Sequence, residues 1–295
     1  MEFTYLESFI KIAEYNSFSK AAVSLGYTQS AISIQMSKLE KELGVSLFER
    51  MGKQIYLTQH GERFLQYAIE TIQNEHLIKQ TLTDDTSVNG TISIAVAHSL
   101  CSSEFSSVLM KYHKRFPDVK VIVKSGITND YINWIDHNEV DLIYTLDQPL
   151  NKPSCTTIIE SEINIGFFTH FQHPLANKQN LTINDINQYP LFLTEEGLSY
   201  RLLLEEHLAR YKLFLSPSIE IGDTDIIRKL ILDNPSGIGF IPEFIVKNEL
   251  ANHRVIPLSV KHTGIKMYKQ ILYHKNKLLT PALQELISMI CNYSS

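Results

Sequence analysis

Apolar positions recur with a helical period through roughly the first eighty residues and with a strand period from about residue 91, and that change of rhythm divides the chain. Phe3, Leu6, Phe9, Ile10 and Ala13 fall at the i, i+3, i+4, i+7 spacing of an amphipathic helix, which Asn16-Ser17 breaks. Ser19 is placed to cap a second helix, Lys20 to Leu25, and Gly26 stops it as a left-handed residue past the last turn. Thr28 is a candidate cap for a third helix running to Leu43 and ended by Gly44, with Ala31, Ile32, Met36, Leu39 and Leu43 as its apolar stripe. Leu47–Arg50 and Gln54–Leu57 flank Met51-Gly52-Lys53 as two short strands around a turn. From Gly61, the residues Leu65, Ala68, Ile69 and Ile72, continued by Leu77, Ile78 and Leu82, draw one long apolar stripe, while Glu62, Gln66, Glu70, Gln73 and Lys79 lie elsewhere. A long helix with a single such stripe needs something to cover it, either its own chain or a second subunit.

The polar run Thr83 to Gly90 reads as a hinge. After it, Thr91–Ala97, Val119–Val123 and Val140–Tyr144 alternate like strands, with helical patterns at Ser102–Arg115 and Asn129–His137 between them. This order predicts a parallel sheet covered on both faces. A second set follows: Pro190–Leu193, a helix Ser199–Tyr211, Ser218–Ile221, a helix Asp225–Leu232, and Gly237–Pro242. A helix Glu243–Leu250, strands near Val255-Ile256 and Met267–Tyr273, and a closing helix Leu278–Cys291 complete the chain. The expected fold is multidomain: an α-helical unit with a short strand pair and a long helix, then an α/β part in two lobes.

A short helix, a tight turn and a longer helix with an amide- and hydroxyl-rich first turn form the helix-turn-helix arrangement. Ala21-Ala22 lets the two helices approach, while Gln29, Ser30 and Ser33 are suited to hydrogen-bond base edges or phosphates in a major groove. Arg50 and Lys53 on the strand–turn–strand wing suit backbone phosphates. Phe18-Ser19-Lys20-Ala21-Ala22, Leu25-Gly26-Tyr27-Thr28-Gln29-Ser30-Ala31-Ile32-Ser33, Leu39-Glu40, Leu43-Gly44, Leu47-Phe48-Glu49-Arg50, Leu57-Thr58 and Gly61 then stand at one spacing over some 45 residues. In these the chain resembles the LysR-type transcriptional regulators, bacterial winged helix-turn-helix proteins. Phe116-Pro117, Asp141-Leu142-Ile143, His173-Pro174-Leu175-Ala176 and Gly237–Pro242 extend the likeness to nearly the whole chain. It departs from the family at Ile34 and Ser37, where many members carry basic residues, so groove-facing charge rests on Lys38, Arg50 and Lys53.

The resemblance implies a DNA-binding domain over 1–60, a linker and dimerisation helix over 61–83 that pairs antiparallel with a second subunit, a hinge at 84–90 and an effector domain over 91–295. That domain is expected to be built like a periplasmic solute-binding protein, with lobe I at about 91–162 and 268–295 and lobe II at about 163–267. The implied partners are double-stranded promoter DNA, further copies of the chain up to a homotetramer, and a small-molecule effector between the lobes, with no membrane. Candidate DNA contacts are Thr28, Gln29, Ser30, Ser33, Gln35, Lys38, Arg50 and Lys53. In open α/β lobes ligands sit beyond the carboxyl ends of the strands, against helix N-termini. The candidate effector residues there are His98, Ser99, Cys101, Ser102, Thr128, Ser199, Tyr200, Arg201 and Asp223. Their hydroxyls suit a small anion such as a carboxylate, an amino acid or an inorganic ion, and Arg201 offers a fork to it. The ordinary alternative for these serines and threonines is helix capping.

Composition narrows this further. With 27 Lys+Arg against 32 Asp+Glu the net charge is −5, and residues 1–87 alone carry −3, so any DNA contact depends on where a few cations sit rather than on their number. Cys101, Cys155 and Cys291 are odd in number and without CxxC spacing, which fits a reducing compartment and gives neither a disulfide framework nor a zinc site. Cys101 near a helix start leaves open a thiol sensor, although no paired cysteine stands nearby. His170 and His173 lack a third ligand at metal spacing, and no cofactor is expected. GxSxG, GxxxxGK[ST], HExxH and a strand-following GxGxxG are absent, so an enzyme is not expected. No signal peptide and no stretch of 18 apolar residues is seen, so the expected location is the cytoplasm. A solute-binding protein without a transcriptional role and a thiol-based redox regulator are the alternatives to an effector-responsive regulator.

Overall fold

A computed structural model of the chain describes residues 1–51, 54–82 and 88–294. The N-terminal unit comprises α1 (Phe3–Tyr15), α2 (Phe18–Leu25), α3 (Gln29–Leu43), β1 (Phe48–Met51) and β2 (Gln54–Leu57). The cap of α2 is Ser17, whose hydroxyl accepts from the Lys20 N–H, and not Ser19 as expected. Phe18 already belongs to the helix, and Ser19 donates instead to the Gln29 side-chain oxygen at 2.9 Å, tying α2 to α3. Gly26 and Gly44, both at φ +71°, end α2 and α3 in the left-handed region that costs other residues strain. Phe9, fully buried, lies 5.2 Å from Phe48 and 5.1 Å from Phe64, and Ile32, Met36, Leu39 and Leu47 close the core around it. Replacing a buried phenylalanine with alanine typically costs about 3–5 kcal/mol, so these aromatic contacts decide whether the unit folds. β1 and β2 pair antiparallel as a hairpin, Phe48 opposite Leu57 and Arg50 opposite Ile55.

The long helix α4 (Gln59–Leu82) begins two residues before its expected start at 61. Thr58 governs that start, its hydroxyl accepting from Gly61 N–H at 3.0 Å and donating to the Ser46 carbonyl at 2.7 Å. Leu65, Ala68 and Ile72 are buried in the core of the N-terminal unit. The first half of the apolar stripe therefore covers its own chain, and among the described residues the exposed large apolar side chains of α4 are Tyr67, 67% exposed, and Ile78, 57% exposed. The side chains of Leu77 and Leu82, and most of the expected hinge, lie outside the described residues.

The remainder forms two α/β lobes. Lobe I holds β3 (Gly90–Val96), α5 (His98–Leu100), which runs through a π-helical stretch Cys101–Phe105 into α6 (Ser106–Arg115), β4 (Val119–Lys124), α7 (Thr128–Asp136), β5 (Leu142–Asp147) and β6 (Cys155–Ile163). Asn164 alone separates β6 from β7 (Ile165–His170), the first strand of lobe II. There follow α8 (Ile183–Ile186), β8 (Leu191–Leu193), α9 (Ser199–Ala209), β9 (Ile219–Glu220), α10 (Thr224–Asp233) and β10 (Ile238–Pro242). A 3-10 turn (Glu243–Val246) runs into α11 (Lys247–Ala251), and β11 (Val255–Leu258) completes lobe II. The chain returns to lobe I through β12 (Met267–His274) and ends in α12 (Pro281–Ser294). The sheets run β4-β3-β5-β12-β6 and β11-β7-β10-β8-β9.

Neither sheet is wholly parallel, as the strand–helix alternation had suggested. β3 is parallel to β4 and β5, but β12 is antiparallel to both β5 and β6, and β7 is antiparallel to β10 and β11. The reason is the double passage between lobes: β12 re-enters lobe I from lobe II, opposite in sense to the strands the chain laid down first.

The N-terminal unit is docked on lobe I. In the loop between β12 and α12, the Lys277 ammonium donates to Glu14 Oε1 at 2.7 Å, to Asn138 Oδ1 at 2.6 Å, and pairs with Asp141 Oδ1 at 2.5 Å. The side chains of Lys277 and Glu14 are 8% and 2% exposed, and the second Glu14 oxygen receives Lys11 at 2.6 Å. Leu278, next in the loop, packs against the core of the N-terminal unit.

Gly61 gives a sharp test of the packing. An alanine normally stabilises a helix interior over glycine by about 1 kcal/mol. Here a Cβ would stand 2.1 Å from the Leu47 carbonyl oxygen, a backbone atom unable to yield. Gly61→Ala is therefore expected to lower stability by about 1–3 kcal/mol, as read by urea or thermal unfolding; a stabilised variant would contradict this packing.

Candidate nucleic-acid interface and ligand cleft

α3 buries Ile32, Met36 and Leu39 and leaves the opposite edge to solvent. Thr28, Gln29, Ser30, Ser37 and Lys38 are exposed along it and Ser33 is half-buried. Thr28 caps the helix, its hydroxyl accepting from Ala31 N–H at 3.2 Å. Gln29 gives its oxygen to Ser19, which orients its amide N–H groups outward as donors. Ile34, 57% exposed, stands in the middle of this polar edge. Gln35 is turned the other way: the buried Ser8 hydroxyl donates to its side-chain oxygen at 2.5 Å, so it ties α3 to α1. Arg50 lies in β1, its side chain outside the described residues, as is the whole of Lys53 at the wing tip. The base of the wing is pinned by Glu40, whose Oε1 accepts from the N–H groups of Leu47 at 2.7 Å and Phe48 at 3.3 Å.

Between the lobes lies a cleft of about 260 Å³. α7, α9 and α10 start at Thr128, Ser199 and Thr224, and all three residues stand on its wall. The starts of α7 and α9 bring to it a partial positive charge on the order of half a unit per helix, whereas at α10 the Asp223 carboxylate takes the N–H groups of Asp225 and Ile226 and offsets it. His98 and Ser99 contribute from the end of β3, and Tyr200 from α9. Among the described residues lining it there is no lysine or arginine, and the one carboxylate is Asp147, at the end of β5, which accepts from the Thr128 hydroxyl. The lobes touch here: the Ser199 hydroxyl in lobe II donates to the Leu146 carbonyl in lobe I at 2.9 Å.

Three cleft hydroxyls, those of Thr194, Tyr200 and Thr224, are buried without a hydrogen-bond partner. The Thr194 hydroxyl lies beside the Tyr200 phenol as its nearest hydrogen-bonding neighbour, although the pair falls short of regular hydrogen-bond geometry. Burial pushes the Tyr200 phenol well above its ordinary value, so it stays a neutral donor. An unpaired buried hydroxyl costs about 1–3 kcal/mol, and here three of them sit behind one wall of the cleft, on residues that line it.

Four of the expected effector residues stand apart from this wall. Arg201 is buried, but its guanidinium is held by Glu205 at 2.9 Å, Glu220 at 2.9 Å and the Thr194 carbonyl, so it braces lobe II and has no fork to offer a ligand. Asp223 caps α10, accepting from Asp225 N–H at 2.8 Å. Ser102 is exposed and bonds back to the His98 carbonyl at 3.2 Å. Cys101 packs against the lobe I core, and burial raises its thiol pKa, the reverse of what an oxidant-sensing thiolate needs. Burial raises those of Cys155 and Cys291 too, and none of the three is in a disulfide. His173 has both ring nitrogens engaged, by Leu175 N–H and the Ser236 carbonyl. Among the described residues no group of three or more His, Cys, Asp or Glu is placed to hold a metal ion. Asp147 and Thr194 were missed from the sequence, although both end or follow a strand on the ligand side, where the same carboxyl-end rule applies.

Residues 3–62 match the family model described as the bacterial regulatory helix-turn-helix protein, lysR family, and residues 85–293 match the LysR substrate binding domain. The HTH-type transcriptional regulator YwqM of Bacillus subtilis, described as uncharacterized, is 30% identical over 292 residues, covering 98% of both chains. The HTH-type transcriptional regulator SoxR of an Arthrobacter species is 26% identical over 292 residues, covering 99% of this chain and 97% of its own. Among solved structures, CrgA of Neisseria meningitidis, a LysR-type transcriptional regulator, shares the fold over 100% of both chains at a TM-score of 0.57 and 21% identity. Full-length CbnR in complex with its target DNA does so over 99% of this chain and 100% of its own, at a TM-score of 0.51 and 18% identity.

Proposed function

The chain belongs to the LysR family of bacterial transcriptional regulators, and from that membership we propose how its parts divide the work: α3 reads promoter DNA, and the cleft takes a small carboxylate-bearing effector whose binding changes how the winged domain sits on DNA. Cleft and DNA are then two sites coupled through one conformational equilibrium. The effector half rests on the three buried, unpartnered hydroxyls of Thr194, Tyr200 and Thr224. The starts of α7 and α9 favour an anion, while Asp147 and the lack of a lining lysine or arginine weigh against a polyanion. A monocarboxylate or an amino acid fits both conditions. It enters and leaves unchanged in this reading, which assigns the cleft no catalytic step. A regulator of promoters works beside the chromosome, in the cytoplasm; no helix among the described residues is long and apolar enough to cross a membrane. Tyr67 and Ile78 on α4 are the apolar surface for a second copy, giving a homodimer and, with further contacts, a homotetramer.

On DNA, Gln29, Ser30, Ser33 and Lys38 supply polar contacts, while Arg50 and Lys53 of the wing take phosphates. Ile34 brings an apolar group into the groove, where the matching feature is the thymine methyl. On an operator selected in vitro by the purified chain, Gln29→Ala should weaken binding by about 1–3 kcal/mol with a much smaller change on unrelated DNA. Replacing the contacted thymine by deoxyuracil should cost the parental protein about 0.8 kcal/mol, near fourfold in affinity, and leave Ile34→Ala unmoved. Equal losses in both proteins would remove Ile34 from the readout.

Thr224→Val deletes an unpaired buried hydroxyl while keeping its shape. The ligand-free variant should be no less stable than the parent, with a gain of up to about 1 kcal/mol. In a thermal-shift series of monocarboxylates and amino acids, the compound that stabilises the parent should stabilise the variant much less, by roughly tenfold in affinity. An unaltered response would place the effector elsewhere.

A further inference from the structure

We propose that Lys277 and Glu14 are positioning residues that carry the state of the cleft to the winged domain, an inference that rests on the cleft being the effector site. Lys277 spends all three of its N–H donors on Glu14, Asn138 and Asp141, at 2.7, 2.6 and 2.5 Å. Burial alone would push the Glu14 carboxyl up and the Lys277 ammonium down, but the facing charges reverse both, so the two stay ionised. Buried charges tolerate no partial separation: each has its partner or is left uncompensated. Docking of the winged domain on lobe I is thus a two-position contact rather than a graded one, which is what coupling between distant sites requires.

The far side of the contact leads to the cleft. Asn138 and Asp141 sit in the connection between α7 and β5, and these elements end at the cleft in Thr128 and Asp147, which are hydrogen-bonded to each other. Nine helical residues and six strand residues span about 14 and 20 Å, the distance from ligand wall to docking contact. Tyr131 and Ile135 of α7 pack with Ile143 of β5 and Leu272 of β12, so the two elements form one unit. Leu272 also pairs with Ile143 in the sheet, which holds the Lys277 loop beside Asp141. Any ligand that resets Thr128 and Asp147 therefore bears on the oxygens that hold Lys277. On the near side Glu14 ends α1, and α1 is tied to the reading helix α3 through Ser8 and Gln35. Asn138 holds its place with a left-handed φ of +53°, as asparagine does just past a helix end.

The test is a double-mutant cycle on the full-length chain, using an operator selected in vitro, with affinity read by fluorescence anisotropy and bend by energy transfer between the DNA ends. Thr128→Val breaks the hydrogen bond at the cleft end and Lys277→Met cuts the contact at the other. In the parental chain Thr128→Val should change operator affinity about threefold or more, or shift the bend; in the Lys277→Met chain it should change neither. Amide exchange at the end of α1 should quicken about tenfold in Lys277→Met. Equal effects of Thr128→Val in both backgrounds, or none in the parent, overturn the proposal and leave the cluster a stabilising contact. If Lys277→Met does not fold, Glu14→Gln serves in the same cycle with the same reading. Monocarboxylate and amino-acid binding to Lys277→Met, followed by thermal shift, should persist and by reciprocity be no weaker than in the parent. Ligand binding in the parental chain with no coupling in the cycle fails the inference alone, whereas no binding in either chain fails the effector reading beneath it.

Discussion

A polar group removed from water has to find a partner, and the places where this chain meets or leaves unmet that demand organise everything else. Lys277, Glu14 and Asp141 meet it completely and fix one domain on another. Arg201 meets it with two carboxylates and a carbonyl, and so stiffens the wall of lobe II behind the cleft. Thr194, Tyr200 and Thr224 do not meet it at all. Hydroxyls left unmet behind a stiff wall carry a cost that a polar ligand reaching them would relieve.

The same economy governs the reading helix. Most of the residues that mark the family are architectural. Glu40 holds the start of the wing through two backbone N–H groups, Thr58 caps α4 and joins it to Ser46, and Gly61 lets α4 approach the Leu47 carbonyl. These fixtures present the exposed edge of α3 without taking part in it. That edge is then free to carry its own combination of serines, one glutamine, one lysine and one isoleucine, and this is where a shared fold acquires an individual DNA preference.

The winged unit was legible to within a residue or two because its elements are local: a 3.6-residue apolar period, a hydroxyl before α2, α3 and α4, and a glycine after α2 and α3. The one cap misassigned, Ser19 for Ser17, involves two serines separated by a single residue, and only the side-chain pairing with Gln29 distinguishes their roles. In the lobes the parallel strands were legible, whereas β6 and β7 were not. β6 lies at a sheet edge with much of its length exposed, so its sequence carries little alternation to read. Strand direction is set by the passage between lobes, which no local pattern encodes. The cleft divides in the same way. Hydroxyls at helix starts could be placed from the sequence, but the partners of Arg201 could not, since Glu220 lies 19 residues away on another element. The docking contact is the extreme case, with Lys277 and Glu14 separated by 263 positions.

Charge explains why placement matters so much in this protein. Affinity of DNA-binding proteins is dominated by phosphate neutralisation, which is blind to sequence and grows with the number of cations brought to the backbone. A chain with a net charge of −5 has little of that general attraction to draw on. Its hold on DNA must come from a few well-aimed contacts, and the energy of such contacts falls steeply when their geometry is off by an ångström. A rigid seat for α1, and through it for α3, is therefore worth more here than in a strongly basic regulator. A buried ion cluster provides such a seat: it gives docking a single geometry, at the expense of being unable to loosen by degrees. An effector needs only to make that geometry untenable to change what the reading helices can reach.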